Sequence, residues 1–362
     1  MPLGNVIVRK STAPRFECKP IEKAAGDNAA DVARLRRLAT QLKPEIATAF
    51  LQAVEQLRDK IDLKELVDLL AQGRTQEAIA RVQSAVTQGG WQQLANTVSR
   101  GALEAALTGM RTAVADVPFT QLETVFSVTN PKTVGFLNQY EMQLIRQLAD
   151  DSLSSVRRAI LDGVSAGRNP LDVARDVRRF IGLTDTQTQA VQNFRRLLEN
   201  QDRDVLARAL RDKRFDPTVR AWLDGDLDLK PEQVDRMVDR YTDRYLKYRS
   251  ETIARTEAIR ATQVGNHQIW QQAVDSGQFQ AMEVRRSWIY THDGRARDAH
   301  IAIPSMNPDG VGLNEPFQTP LGPLMYPGDP AGVAANTINC RCAVIYRYVP
   351  LAGRGYSVGG GS

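Results

Sequence analysis

Side chains able to bind soft metals or shuttle protons are scarce in this sequence and unevenly placed. Three histidines and three cysteines occur in 362 residues, and His292, His300, Cys340 and Cys342 all lie near the C-terminal end. The histidines follow one strand-like segment and the cysteines precede another. If those strands pair antiparallel, the end of the first adjoins the start of the second. The run Asp293-Gly294-Arg295-Ala296-Arg297-Asp298-Ala299-His300 then lies beside Asn339-Cys340-Arg341-Cys342. Two thiolates and an imidazole converging on a small, weakly cored module are the donors of a structural zinc clip, with His300, Cys340 and Cys342 as ligands. The same residues also read as two packing thiols and a hydrogen-bonded structural histidine. A second chemistry uses His292, Asp293 and His300 to hold a divalent ion that activates water, as in a nuclease or hydrolase. Neither a complete HNH-like pattern, nor HExxH, nor a second acidic cluster at ligand spacing accompanies it.

The elements that must position these groups are mostly helices. From about 28 to 275, apolar residues recur at spacings of three and four. Pro44 suits a first helical position ahead of Ile46, Phe50, Val54, Leu57 and Ile61. Asp62 and Glu65 make a capping-box pattern before Leu66, Leu69 and Leu70, and Gly73 is the stop. Gly89-Gly90 breaks the next helix, Asn169-Pro170 opens another that runs to Gly182, and Thr184 with Gln187 caps its successor. Lys230-Pro231 opens a helix with Val234, Met237, Val238, Tyr241 and Tyr245 on one face. Its other face alternates Arg236, Arg240, Arg244 and Lys247 with Asp235, Asp239 and Asp243. Pairs such as Arg236–Asp239 and Asp243–Lys247 favour a solvated face over a phosphate-tracking stripe.

After Gly277 the texture changes. Val284 to Tyr290 and Ala343 to Val349 read as strands, separated by the turns Asn307-Pro308-Asp309-Gly310 and Pro327-Gly328-Asp329-Pro330. The expected fold class is α+β: a large, mainly α-helical N-terminal region followed by a small β-containing, turn-rich C-terminal module. The divisions are an extended arm (1–27), a helical domain (28–168), a second helical part (169–276), the module (277–350) and a flexible tail (351–362).

Ile253-Ala254-Arg255-Thr256-Glu257, Trp288, Asp293-x-Arg295-x-Arg297-x-x-His300, Pro327-Gly328-Asp329-Pro330 and Asn339-Cys340-Arg341-Cys342 follow one another in order. This series resembles the phage Mu F-like family of minor head, or head morphogenesis, proteins of tailed bacteriophages, over about residues 170–347. The resemblance implies a structural component of the virion, in the capsid interior near the portal vertex. Its implied partners are the portal protein, other head proteins and packaged double-stranded DNA, with roles in head morphogenesis and in DNA packaging or ejection. It implies no catalytic residue. Relatives carry a Cys-x-x-Cys where Arg297 and His300 stand, and a His in the place of Thr337-Ile338. This chain departs from both, which leaves His300, Cys340 and Cys342 as ligands for one structural zinc. The alternative to a metal is that Asp293, Arg295 and Arg297 hold the fold by a buried ion-pair network. Arg255 and Glu257 either pin their helix to the module or stand as surface charge. Trp288, Asp329, Asn339 and Arg341 complete the set of motif residues.

Composition bounds the rest. Lys and Arg number 47 against 42 Asp and Glu, a net charge of +5, so DNA contact is permitted but should be non-specific. No recognition helix with clustered base-reading residues points to a DNA-binding regulator. The odd, sparse cysteine count suits synthesis in a reducing host cytoplasm. Neither a signal-peptide core nor an 18-residue apolar run occurs, so no membrane partner is expected. Phe16, Phe119 and Phe126 lie in segments without helical period, and the arm or the segment 118–136 is the expected docking surface.

Overall fold

The computed structural model describes residues 25–88, 90–116, 131–277, 280–292 and 294–349. The arm up to residue 24, the tail, Asp293 and the docking segment as far as residue 130 lie outside the described residues.

The first element is a 35-residue helix, α1 (Ala25–Asp59), with Pro44 inside it. The expected start at Pro44 is therefore corrected. Val32, Leu35, Ala39, Leu42, Ile46, Ala49, Ala53 and Leu57 form one unbroken buried stripe at spacings of three and four. Burying it outweighs the single backbone hydrogen bond that an exposed proline forfeits. The next helix, α2 (Leu63–Ala71), starts where Asp62 accepts from the amides of Lys64 and Glu65 at 2.8 and 3.2 Å. Glu65 does not close the capping box, because its carboxylate takes Arg81 at 2.9 Å. Then come α3 (Thr75–Thr87), α4 (Gln92–Asp116), α5 (Pro131–Ser165) and α6 (Pro170–Phe180), the last capped by Asn169. In α7 (Asp185–Glu199), Thr184 and Gln187 complete a reciprocal capping box. A short α8 (Asp216–Leu223) precedes the axis of the molecule, α9 (Pro231–Asp275), 45 residues long.

Helices α1 and α4 run along α9, and one apolar core takes residues from Ala39 to Ala261. The early part of α9 is amphipathic, whereas Thr256 to His267 are buried without a break. At that level the helix is covered on all sides. The charged face of its first half is not simply solvated. Asp239 pairs with Arg179 of α6 at 2.7 Å and Asp235 with Arg195 of α7, while Arg244 reaches Asp212 at 3.1 Å. Arg236 donates to the Glu232 carbonyl and not to Asp239. Cross-helix acceptors outcompete intrahelical ones because they lie in partly dry interfaces.

Gly277, at φ +78°, ends this stretch of chain. Strands β1 (Val284–Ile289) and β3 (Ala343–Tyr348) pair antiparallel with Trp288 opposite Val344, and a two-residue β2 (Val311–Gly312) adds the order β2-β1-β3. Between them lie the one-turn helices α10 (Asp298–Ile301), α11 (Ile303–Met306) and α12 (Ala334–Thr337). One sheet face joins Trp270 and Ala273 of α9 in a second core through Val284, Trp288, Val344 and Tyr346. The other face is sealed by α1, where Val32 and Leu35 pack on Ala343 and Ile345. None of the described helices is long and apolar enough to cross a membrane.

Candidate functional site

Several polar fastenings hold the module to α9, three of them at motif residues or the start of β3. Asn339 adopts a left-handed backbone at φ +58°, which asparagine tolerates better than most residues. Its side-chain oxygen accepts from Arg255 at 2.9 Å, and its amide donates to Thr256 Oγ1 at 3.0 Å. One turn on, Glu257 holds the buried Arg260, whose Nε donates to the Gly328 carbonyl at 2.6 Å. Asp329, in the same loop, is buried and accepts from the amides of Met325 and Ala331 at 2.7 and 2.9 Å. The third fastening is Val344, whose amide donates to Gln263 of α9 at 2.9 Å. Inside the module Arg286 is 0% exposed. It donates to the carbonyls of Gly312 at 2.9 Å, Met325 at 2.6 Å and Glu315, and lies over the Phe317 ring.

The left-handed turn at Asn339 sends the next residues inward. Cys340, Cys342 and His300 are all buried, and their ligand atoms lie within 4.8 Å of one another. His300 Nδ1 stands 3.6 Å from Cys340 Sγ and 3.4 Å from Cys342 Sγ. Its Nε2 is fixed by Asn336, 2.9 Å from the carbonyl and 3.0 Å from Oδ1. Trp288 closes one side, its ring edge-on to the imidazole at 5.8 Å. A hydrogen bond from Cys342, together with the amide of residue 342 and the imidazole, holds the Cys340 thiol well below its usual range despite burial. The same contact and burial push Cys342 up. Burial opposes a charge on His300, but its bond to Cys340 outweighs that and raises it.

Above the sulfurs opens a cleft of about 480 Å³ lined by Lys43, Arg255, Arg295, Arg297 and Arg341. Burial lowers the Lys43 ammonium, and the neighbouring Arg255 and Arg341 guanidinium groups lower it further. Arg295 is exposed, and Arg297 is half-buried and donates to the Ile338 carbonyl, while Asp293, the acid of the expected ion-pair network, lies outside the described residues. Both arginines line the water-accessible cleft. Of the divalent-ion alternative, His292 and His300 share no site among the described residues, and Asp293 lies outside them. His292 is exposed and packs on Tyr290 at 4.3 Å between centroids, while His300 turns inward with both ring nitrogens engaged.

Sequence reasoning missed Asn336 and Lys43. A buried imidazole needs an acceptor on its far nitrogen, which makes the polar residues of Asn336-Thr337 a readable signal. Lys43 carries none, since only the packing of α1 on the module brings it near.

A family model described as "Phage Mu protein F like protein" matches residues 154–345, more than half of the chain. The match runs from within α5 to β3 and takes in every fastening and donor above except Lys43. No curated protein and no solved structure matches the chain.

Proposed function

The chain belongs to the phage Mu F-like family of head morphogenesis proteins, and from that premise we propose that it is a structural, non-catalytic part of the head, seated at the portal vertex. In this reading it is made in the host cytoplasm and contacts the portal protein, other head proteins and packaged DNA. The observation that carries it is how the motif residues are used. Arg255, Asn339, Glu257 and Asp329 spend their polar atoms on one another, on Arg260 and on backbone amides. Such residues build a rigid junction. They do not converge as nucleophile, base and oxyanion donor around an open position. Purified heads test the placement: density for the chain should appear at the portal vertex by electron cryomicroscopy. Its absence from heads that assemble and package normally overturns the reading.

The same reading takes in one structural zinc ion per chain. With zinc–sulfur bonds of about 2.3 Å and zinc–nitrogen bonds of about 2.0 Å, a tetrahedral site puts its sulfur and nitrogen roughly 3.5 Å apart. The separations of 3.4 and 3.6 Å fit that edge. His300 Nδ1, Cys340 Sγ and Cys342 Sγ would hold the ion, and Asn336 fixes the ring so that Nδ1 faces the sulfurs. Bound there, zinc would supply a cross-link between the α10 turn and the start of β3. Elemental analysis of protein purified without chelator should give about one zinc per chain, and chelation should lower the melting temperature. A stoichiometry near zero with unchanged melting leaves the thiols as packing residues.

A further inference from the structure

We infer that the cleft above Cys340 and His300 is a phosphate-binding site. Its cations come from separate elements: Lys43 from α1, Arg255 from α9, Arg295 and Arg297 from the loop before α10, and Arg341 from the turn into β3. No carboxylate lines it among the described residues. Elsewhere several partly buried arginines meet an acid, as Arg179 with Asp239 at 2.7 Å, Arg211 with Asp216 at 2.9 Å and Arg249 with Asp151 at 2.7 Å, while Arg58 and Arg286 are held by backbone carbonyls. Three cleft residues meet no acid among the described residues. Arg255 is held by an amide oxygen and Arg297 by a backbone carbonyl, while Lys43 makes no hydrogen bond or ion pair with the described residues. Two turns before Lys43, Arg36 has its buried Nε and Nη2 without a hydrogen-bond partner among the described residues.

Like charges gathered in a concavity repel one another, and an anion between them removes that cost. Phosphate suits the site because guanidinium forks match its oxygens in pairs, and a lysine adds a movable third contact. The volume admits one phosphate with its attached sugar and does not admit a duplex. The phosphate is therefore either free or a single unit of a nucleic-acid backbone reached at its edge. The inference rests on the cleft and not on the placement in the head.

The experiment uses the full chain in buffer without divalent metals. Inorganic phosphate and pyrophosphate are titrated calorimetrically, and a short DNA duplex is titrated by fluorescence anisotropy at two salt concentrations. Lys43→Met and Arg297→Gln are compared with Arg240→Gln, a control whose residue pairs with Asp243 on the far part of α9. Removing one charge-assisted contact should weaken phosphate binding about tenfold in each cleft variant and leave the control unchanged. If DNA binding falls in parallel and its salt slope drops by about one, the source is the nucleic-acid backbone. If only phosphate and pyrophosphate respond, it is a free phosphate. Lys43→Met removes no hydrogen bond, so it remains informative if Arg297→Gln unfolds. Absence of phosphate binding overturns the inference. So does binding that Lys43→Met leaves intact.

Discussion

His267, like the exposed His292, lies outside the His300–Cys340–Cys342 cluster and the cleft, and it ties stability to pH. Its ring lies buried between α9 and the sheet, with Tyr326 and Tyr346 beside it and the Arg286 guanidinium nearby. Burial, and then the charge of Arg286, lowers its pKa to about 4. An unfolded chain would protonate this imidazole near 6.5, so between those values the unfolded state binds more protons. Stability should therefore be full above about pH 7 and fall as the pH drops toward 4. The loss from this residue is about 3 kcal/mol, as an order of magnitude. Denaturant unfolding across that range, repeated for His267→Gln, measures it. An equal loss in both proteins assigns the effect elsewhere. At this scale the site was half legible. His300, Cys340 and Cys342 were readable because soft donors are rare and flanked two strands. Arg286 was not, since an arginine in sequence gives no sign that its partners are backbone oxygens far along the chain.

Turns between elements carry the next level of constraint. Gly182 joins α6 to α7 at φ +85°, and a methyl group there would meet Val54 of α1. Gly167 has a similar φ of +63° but open space around it. Gly167→Ala should cost about 1–2 kcal/mol of backbone strain alone. Gly182→Ala adds overpacking of about 1–3 kcal/mol, and Thr184→Ala should cost about 1 kcal/mol for the lost cap. Unfolding free energies of the three variants check the order, and equal costs for the two glycines would mean that α1 does not press on this turn. Caps and breakers were the legible part of the fold: Asp62, Asn169, Thr184, Lys230-Pro231 and Gly277 all bound elements where local chemistry says they should. Pro44 misled because a proline at a first helical turn and one on an exposed helix face look alike until the stripe upstream is buried. The strand β2 escaped because two residues carry no period.

For the whole molecule, the open question is which surface meets the head. Among the described residues the helical body exposes few large apolar side chains, Leu51, Leu161, Leu171 and Tyr248 being the main ones, whereas the arm carries Phe16 and lies before the apolar stripe of α1. Deleting residues 1–27 removes none of that stripe, which begins at Val32, so the melting temperature should stay unchanged. Incorporation into heads, measured by quantitative immunoblotting of purified particles, should be lost. Normal incorporation would move docking to the helical body or to the segment around 118–136. The packing of Val32 and Leu35 on Ala343 and Ile345 also sets a schedule. On a ribosome adding 5–20 residues per second, α1 emerges on the order of tens of seconds before the strand it covers. Until then its leading end has nothing to bury against. A chain released early keeps that apolar edge bare, open to chaperones and proteases, so β3 serves as the molecule's own signature that translation reached it.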